Sequence, residues 1–430
     1  MSKQEKTSRI SGYYKLPVEE RLKIAAEFAG LSPEEMETIR KGGGIGVDVA
    51  DRMIENVIGT MSYPLGVAVN FKINGKDYII PMVIEEPSVV AAASNAARTM
   101  RNGEGIKTSC TASVMIGQIQ VLKIDNPEQK RSAVIAAKDE LLELANQQDP
   151  VLVKLGGGAK DLEARVVNSK IGPMLVVHLL VDCRDAMGAN AVNTMCEALG
   201  PKIEKITGGK VLLRIISNLA DRRLVKAEAV VNKEDLEGEE VVDAIVAASA
   251  FAEADPYRAA THNKGILNGV IAVALATAQD HRAIEAGAHS YASKTGKYTS
   301  LTRWEKTPDG DLVGRLEMPM PVGTVGGITK VHPISKISLK MMGINSAHEL
   351  AEIMGAVGLA QNLAAIRALA TEGIQRGHMR LHARNLVAMA GAEGALIEKA
   401  VEELVGTGEI RYDRAVAIVK RLKEPQDSAQ

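Results

Sequence analysis

Aromatic residues are scarce in this chain of 430 residues, which has three Phe, eight Tyr and one Trp. Charge is balanced as well, with 52 Lys and Arg against 53 Asp and Glu and a formal net charge of −1. Proteins that bind nucleic acids usually offer a basic surface to the phosphates and aromatic rings to the bases. The composition therefore disfavours nucleic-acid binding and predicts an aliphatic core of Ala, Val, Leu, Ile and Met.

Cysteines and long apolar runs are also few. Cys110, Cys183 and Cys196 are too few and too irregularly spaced for a disulfide framework or a zinc site, so we expect free thiols in a reducing compartment. The polar N-terminus lacks the apolar stretch of a secretion signal. No uncharged run reaches the length of about 18 residues that spans a bilayer. These features predict a cytoplasmic protein without a membrane segment.

The common nucleotide-binding motifs are missing. The glycines at 42–46 lack the last glycine of a G-x-G-x-x-G fingerprint and follow no expected strand. Those at 156–158 lie between a helix and a strand rather than on a strand-to-helix turn. A nucleotide site in this protein would therefore not be of the Rossmann or P-loop type.

Residues 112–216 show a distinct order of expected strands and helices. Strands are expected at 117–124, 162–167, 174–181 and 210–216, and helices at 127–146 and 189–206. The order β-α-β-β-α-β is that of a ferredoxin-like unit. We therefore predict an α+β fold in which this unit interrupts a large, mostly helical domain. The expected boundaries are 1–111, 112–216, 217–375 and 376–430, the last segment being a helical flap.

The large domain shows further local signals. Asn74-Gly75 between apolar runs predicts a hairpin of residues 66–71 and 77–83. Other elements are expected as helices at 17–29, 88–100, 240–254, 256–278 and 346–370, and as strands at 225–231 and 300–305.

A dense polar run, DPYRAATHNKG at 255–265, lies on an otherwise apolar segment. Its Arg258 and Lys264 suit an anion or carbonyl site, where an ammonium stabilises developing oxyanion charge. Asp280 follows the apolar run 271–278, and its carboxylate could hold Lys264 charged. An exposed helix end is an equally good interpretation from the residues alone.

Two turns carry further polar groups. In EEPS at 85–88, successive residues of a strand face opposite sides, so only one of the two carboxylates is expected to face a site. Burial would favour a protonated Glu86, whereas a helix N-terminus and a nearby Lys would favour its carboxylate. In DAMGAN at 185–190, small residues before a helix would let a phosphate reach free N–H groups. A capped surface turn is the alternative in both cases.

The C-terminal segment contributes His378 and His382, which lie on one helical face. No carboxylate or cysteine accompanies them, so we expect an acid–base histidine rather than a metal site, with surface histidines as the alternative. Gly373 and Gly377 nearby suggest a hinge, although ordinary turns explain them equally well.

Together these runs resemble one family. ENVIGT at 55–60, EEPS at 85–88, DAMGAN at 185–190, DPYRAATHNKG at 255–265 and RGHM at 376–379 are similar to motifs of 3-hydroxy-3-methylglutaryl-CoA (HMG-CoA) reductase, most of all the class II form. The resemblance extends from about residue 17 to about residue 420. It implies interconversion of HMG-CoA with mevalonate and CoA by two hydride transfers from a nicotinamide cofactor. The alternatives are a reductase of another acyl-CoA and a non-enzymatic ligand-binding ferredoxin-like protein.

The resemblance also implies roles for single residues. Lys264 would stabilise the oxyanion, Asp280 would link it to the catalytic glutamate, and Glu86 would supply a proton. His378 would protonate the departing CoA thiolate. The expected HMG contacts are Ser88, Arg258 and Asn268, and the expected cofactor contacts are Asp149, Asp185, Met187, Gly188, Asn190 and Asn218.

Cofactor and assembly follow from the same resemblance. A carboxylate at Asp149 would accept hydrogen bonds from a ribose 2′-OH and repel a 2′-phosphate. NAD(H) is therefore the favoured cofactor, and NADP(H) is the alternative. No metal is implied. The family forms its active site across a homodimer interface near residues 55–60, and a trimer of dimers is also compatible. Tyr14 stands where some relatives carry an Arg for the CoA phosphates, so those contacts are expected to differ.

Overall fold

The computed structural model describes residues 6–327, 331–371 and 374–423, and the backbone alone within 374–381. Helices and strands are both abundant, which confirms the α+β class. The described strands form three separate sheets with two, four and four members. The positions of the domain boundaries stay a prediction.

Short helices open the chain: a 3-10 helix at Tyr13–Lys15, then α1 (Val18–Ala29), α2 (Pro33–Arg40) and α3 (Val47–Ala50). Helix α1 ends as expected at Gly30, whose φ of 64° suits a residue without a Cβ. Helix α2 begins with a reciprocal cap, since Ser32 Oγ accepts from Glu35 N–H and Glu35 Oε2 accepts from Ser32 N–H.

The expected hairpin is confirmed as β1 (Leu65–Ile73) and β2 (Lys76–Val83). Its two-residue turn has positive φ at Asn74 (49°) and Gly75 (81°), as a type I′ turn requires. The chain then passes through the turn with Glu86 into α4 (Val89–Arg101) and the strand β3 (Lys107–Cys110), which was not predicted. Strand β2 and helix α4 thus hold Glu86 between two buried elements.

The unit predicted at 112–216 has the expected order with two changes, a break in its first helix and the added short helix α7. Its elements are β4 (Val114–Leu122), α5 (Pro127–Ala136), α6 (Lys138–Asn146), α7 (Pro150–Lys154), β5 (Gly158–Ser169), β6 (Gly172–Asp182), α8 (Ala189–Thr207) and β7 (Lys210–Ser217). The strands pair antiparallel in the order β5-β6-β4-β7. The single helix expected at 127–146 is broken at Ala137. Its own buried cluster includes Ile119, Leu179 and Leu199.

The larger body resumes with β8 (Leu224–Val231), a 3-10 helix at Lys233–Leu236, α9 (Glu239–Ala254), α10 (Pro256–Ala276), α11 (His281–Ala292), β9 (Thr302–Lys306), β10 (Leu312–Pro319), α12 (Pro333–Met342) and α13 (Ala347–Ala370). Its sheet has the order β3-β8-β10-β9. Helix α10 ends earlier than expected, since Ala278 has φ 53° and turns the chain. This turn decides where Asp280 lies.

Helix α13 packs against α10 in the centre of the larger body. Gly358 allows the approach, because a Cβ there would lie 3.0 Å from a methyl of Val270. Among the described residues, α13 is the helix long and apolar enough to cross a bilayer, but 67% of that stretch is buried inside the protein. Helix α13 is therefore a core helix of the larger body.

Three helices follow: α14 (Ile374–Met389), α15 (Ala395–Gly406) and α16 (Tyr412–Lys423). Val387, Leu404 and Ile418 belong to a buried cluster that joins the three. Of the proposed hinge glycines, Gly373 lies outside the described residues and Gly377 lies within the backbone of α14. The hinge stays a prediction.

Candidate active site

A cavity of about 740 Å³ opens between α4, α10 and α13. Asp255 caps α10 by accepting the N–H of Arg258 at 2.8 Å. From that start, residues 258, 261, 265 and 268 follow a spacing of three or four and line the cavity. The polar run noted in the sequence is therefore one wall of a pocket rather than an exposed helix end.

Lys264 and Glu86 meet at this wall. Lys264 Nζ donates to Glu86 Oε2 at 2.8 Å. Glu86 lines the cavity, whereas Glu85 is exposed outside it, so one of the two carboxylates faces the site as expected; both lie in the turn after β2. The turn that carries Glu86 into α4 passes through Ser88, which has φ 74° and also lines the cavity. An ammonium and a carboxylate in contact can polarise a carbonyl and transfer a proton at the same place.

Arg258 and Asn268 are two further residues expected to contact the substrate. Both line the cavity, and burial lowers the pKa of Arg258 from its ordinary value. In the part of the chain that the structure describes, no acidic side chain pairs with this guanidinium. A half-buried, unpaired guanidinium is a binding site for a carboxylate, which it can hold with two hydrogen bonds.

Sequence reasoning missed a buried network behind the cavity. Trp304 Nε1 donates to Asn362 Oδ1 at 2.7 Å, which leaves the Asn362 amide nitrogen facing His262 Nε2 at 3.1 Å. His262 also contacts Thr302 Oγ1 at 2.6 Å. Burial, with the charge of Arg258, lowers the pKa of His262 to about 4, so the ring is neutral near pH 7. An Asn inside the apolar α13 was the available signal.

A second groove, of about 520 Å³, lies at the N-terminus of the 19-residue helix α8. Asp149, Met187, Gly188 and Asn190 line it together, as expected. Gly188 has φ 105°, and a Cβ there would lie 2.2 Å from the sulfur of Cys183, so glycine is required. Free N–H groups at the start of a long helix fit the phosphates of a nucleotide. Asp149 Oδ1 meanwhile caps α7 by accepting from Leu152 N–H at 2.9 Å.

Two expected cofactor residues do not line the groove. Asp185 Oδ1 accepts the N–H of Ala347 at 2.8 Å, so its carboxylate anchors the start of α13. Asn218 is exposed in the bend after β7. The turn at 183–187 points the Asp185 carboxylate toward the larger body. The expected contacts of Asp185 and Asn218 with the cofactor stay a prediction.

The contacts of Asp280 also differ from those expected. Its Oδ1 accepts from Ala283 N–H at 3.1 Å and pairs with Arg282 at 3.1 Å, and it makes no contact with Lys264 of the same chain. Asp280 caps α11 and lines the second groove, since the turn at Ala278 carries it off the face of α10. The predicted link between the two residues is therefore not made within one chain.

The expected acid–base histidine, His378, is described only in part. His378 falls within the backbone of α14, and its side chain lies outside the described residues. His382 is exposed one turn later. Among the described residues, no group of three His, Cys, Asp or Glu side chains is placed to hold a metal.

The lysine–carboxylate pair and the unpaired guanidinium fit an enzyme that acts on an acidic carbonyl substrate, and the groove between the ferredoxin-like unit and the larger body fits a nucleotide cofactor. A family model described as hydroxymethylglutaryl-coenzyme A reductase matches residues 17–383. The chain belongs to this family, which confirms the resemblance and the reductase activity inferred from the sequence.

Individual relatives agree with this membership. The 3-hydroxy-3-methylglutaryl-coenzyme A reductase of Archaeoglobus fulgidus is 61% identical over 417 residues, covering 97% of this chain and 95% of the relative. A solved structure of the Streptococcus pneumoniae enzyme superposes with a TM-score of 0.83 at 42% identity, covering 96% and 99% of the two chains. A second structure, of the class II enzyme from the same organism bound to NADPH in open conformations, has a TM-score of 0.81 at 42% identity over 95% of this chain and 100% of that chain.

Proposed function

We propose that this chain interconverts HMG-CoA and (R)-mevalonate plus CoA, with the cavity holding the HMG portion and the groove holding the dinucleotide. The contact of Lys264 with Glu86 at 2.8 Å carries the proposal. The residues of the groove would hold two molecules of reduced cofactor in turn, each of which would supply one hydride. Thioester reduction gives mevaldyl-CoA, loss of CoA gives mevaldehyde, and the second reduction gives mevalonate.

The side chains of the cavity divide the chemical work. The ammonium of Lys264 stabilises the negative charge that develops on the carbonyl oxygen in each reduction. Glu86, in contact with that ammonium, takes up a proton before each reduction and delivers it to the oxyanion, which becomes a hydroxyl. The two reductions use the same pair, because each one converts a carbonyl carbon to a more reduced one.

Substrate orientation comes from the groups around this pair. Arg258 binds the free carboxylate of the HMG portion, since its guanidinium is unpaired and half-buried. Ser88 and Asn268, which also line the cavity, contact the remaining oxygens. Tyr14 is largely exposed and carries no positive charge for a phosphate. We therefore assign the contact with the CoA phosphates to Arg98, an exposed cation at the cavity rim. His378 would protonate the departing thiolate.

The cofactor preference rests on Asp149. Its carboxylate would accept bonds from the ribose hydroxyls and repel a 2′-phosphate, so we propose NAD(H) as the preferred cofactor and NADP(H) as the weaker one. The Streptococcus pneumoniae relative has been solved with NADPH. For this chain, the negative charge of Asp149 beside the groove supports the opposite preference.

We infer a homodimer with shared active sites. Asp280 and Lys264 lie in different pockets of one chain, so the family's linking role for the aspartate requires Asp280 of the partner subunit. Residues 54–61 expose Ile54, Ile58 and Met61, a set of apolar side chains that a partner would cover. A trimer of such dimers remains a compatible assembly. The free thiols Cys110, Cys183 and Cys196 support a cytoplasmic location.

Two inactive variants test the shared site directly. In a mixed dimer of Lys264→Met and Asp280→Asn subunits, one of the two sites has a wild-type Lys264 and a wild-type partner aspartate. A random mixture made by co-expression should regain about a quarter of wild-type activity, although each variant alone is inactive. An inactive mixture with confirmed heterodimers would place the whole site within one chain.

The overall function is tested by substrate profile. Purified protein should oxidise NADH at 340 nm with HMG-CoA, form mevalonate and release one CoA thiol per two NADH. The same protein should oxidise NADH with mevaldehyde but release no thiol. Turnover of another acyl-CoA without turnover of HMG-CoA would reject the proposal.

A further inference from the structure

Arg223 is a buried arginine that neither pocket includes among its walls. It precedes β8, is 4% exposed, and donates to main-chain carbonyl oxygens on two sides. On one side are the carbonyls of Ala186 at 3.0 Å and Met187 at 3.2 Å, with Arg184 at 3.5 Å. On the other side is Val322 at 2.6 Å. One side chain therefore joins the DAMGAN loop to the segment that precedes Gly323, and both line the groove.

The bonding of Arg223 is unusual for a buried cation. Arginine is rarely buried without an acidic partner, because removing its charge from water is costly. Here, within the described residues, its guanidinium bonds only to carbonyls. Burial lowers the pKa of Arg223, but a guanidinium keeps its proton at any working pH. Its bonds fix the positions of four main-chain carbonyls instead.

Peptide geometry shows what that shape does. In a trans peptide the C=O and the following N–H point in opposite directions. Because the carbonyls of Ala186 and Met187 face Arg223, the N–H groups of Met187 and Gly188 face away from it. In the described part of the chain, neither N–H has a hydrogen-bond partner, and both residues line the groove. These donors continue the row of free N–H groups at the start of α8.

We propose that Arg223 is a positioning residue for the cofactor, which turns the backbone donors of Met187 and Gly188 toward the pyrophosphate of a dinucleotide. The proposal rests on the proposed assignment of the groove to that dinucleotide. Anions bind well to successive backbone N–H groups next to a helix N-terminus. Arg223 does not touch the cofactor; it holds the peptides that do.

Two variants separate this role from folding. Arg223→Lys keeps the charge, but its ammonium has donors at a single point and cannot reach carbonyls on both sides. Arg223→Met removes every donor. The matched control is Arg222→Met, since Arg222 is the exposed neighbour whose side chain pairs with Glu163 at 3.1 Å. The probe is ADP-ribose, which carries the pyrophosphate without the nicotinamide, titrated calorimetrically beside NADH.

For Arg223→Lys, the Kd of ADP-ribose and of NADH should both rise by about tenfold or more. The KM for HMG-CoA should stay within about twofold, because the cavity is built from α4, α10 and α13. Arg223→Met should weaken both ligands further, and Arg222→Met should match wild type. The melting temperature of each variant shows whether the titrated protein is folded.

A folded Arg223→Lys that binds ADP-ribose as tightly as wild type would overturn the role of Arg223. An equal rise in the Kd of ADP-ribose and the KM of HMG-CoA would also overturn it, since that pattern reports general damage. If the wild-type protein itself binds neither NADH nor ADP-ribose, the assignment of the groove fails first, and this proposal fails with it.

Discussion

Lys264 Nζ lies 2.8 Å from Glu86 Oε2, although the two residues are 178 positions apart in the chain. The side chains are 60% and 33% exposed, so the ion pair adds little to stability. Its position on the wall of the cavity gives it a chemical use instead. Removing either partner should therefore lower the rate of reaction more than the stability of the fold.

We expect Lys264→Met and Glu86→Gln each to lower kcat by roughly 10²- to 10³-fold, the usual effect of losing one group that stabilises a developing oxyanion. Thermal unfolding should change little. The control is Lys23→Met, which breaks an equally exposed lysine–glutamate contact of 3.0 Å with Glu20 far from the cavity. A variant of either residue that keeps wild-type kcat would remove it from the chemistry.

Arg258 should determine substrate affinity. Arg258→Lys keeps a positive charge but loses the planar pair of donors that matches a carboxylate. The KM for HMG-CoA should rise about 10- to 100-fold, while the KM for NADH stays near wild type. Arg303→Lys serves as control, since Arg303 pairs with Glu253 on the surface at 3.2 Å. Equal changes in both KM values would argue against a specific carboxylate contact.

Asp149 should determine the choice between NADH and NADPH. A plain removal would also lose the cap on Leu152 N–H, so the informative variant is Asp149→Ser, which removes the charge and keeps a capping oxygen. The ratio of kcat/KM for NADH over NADPH should fall by about tenfold, because repulsion of the 2′-phosphate is lost. An unchanged ratio would place cofactor selection at another residue.

The sequence predicted several relationships correctly because they depend on local rules or on a motif. The resemblance to a known family pointed to Glu86 rather than Glu85, and the polar run on α10 pointed to Lys264 and Arg258; all three line the cavity. Asp280 could not be placed in the same way. A single positive φ at Ala278 separates it from α10, and no pattern of residue types reports that turn.

Asp185 and Arg223 illustrate a different limit. Asp185 lies in a motif expected to face the cofactor, but its carboxylate bonds to Ala347 N–H, a contact across 162 positions that only the packed structure reveals. Arg223 carries no motif of its own, and its four carbonyl partners are main-chain atoms. Sequence patterns report side-chain types, so a side chain whose partners are all main-chain carbonyls escapes them.

His378 should act in one half of the reaction. Protonation of the CoA thiolate follows thioester reduction, so His378→Gln should slow turnover of HMG-CoA by about 10²-fold or more and leave reduction of free mevaldehyde near wild type. The two rates are measured separately with NADH in excess. His382→Gln, which changes the exposed histidine four residues later, is the control. Equal losses in both reactions would remove the thiolate role.

His262 should make stability depend on pH. Its pKa is lowered by burial to about 4 in the native protein, against 6.5 for an ordinary histidine. Below pH 6.5 the unfolded chain takes up a proton that the native ring does not, so native stability is complete above that pH and declines toward pH 4. Between pH 7.5 and pH 5 the loss should be roughly 2 kcal/mol.

In His262→Gln that part of the pH dependence should vanish, whereas His382→Gln should keep it. Urea unfolding at the two pH values measures the difference, and an identical decline in wild type and His262→Gln would show that His262 is protonated in the native state.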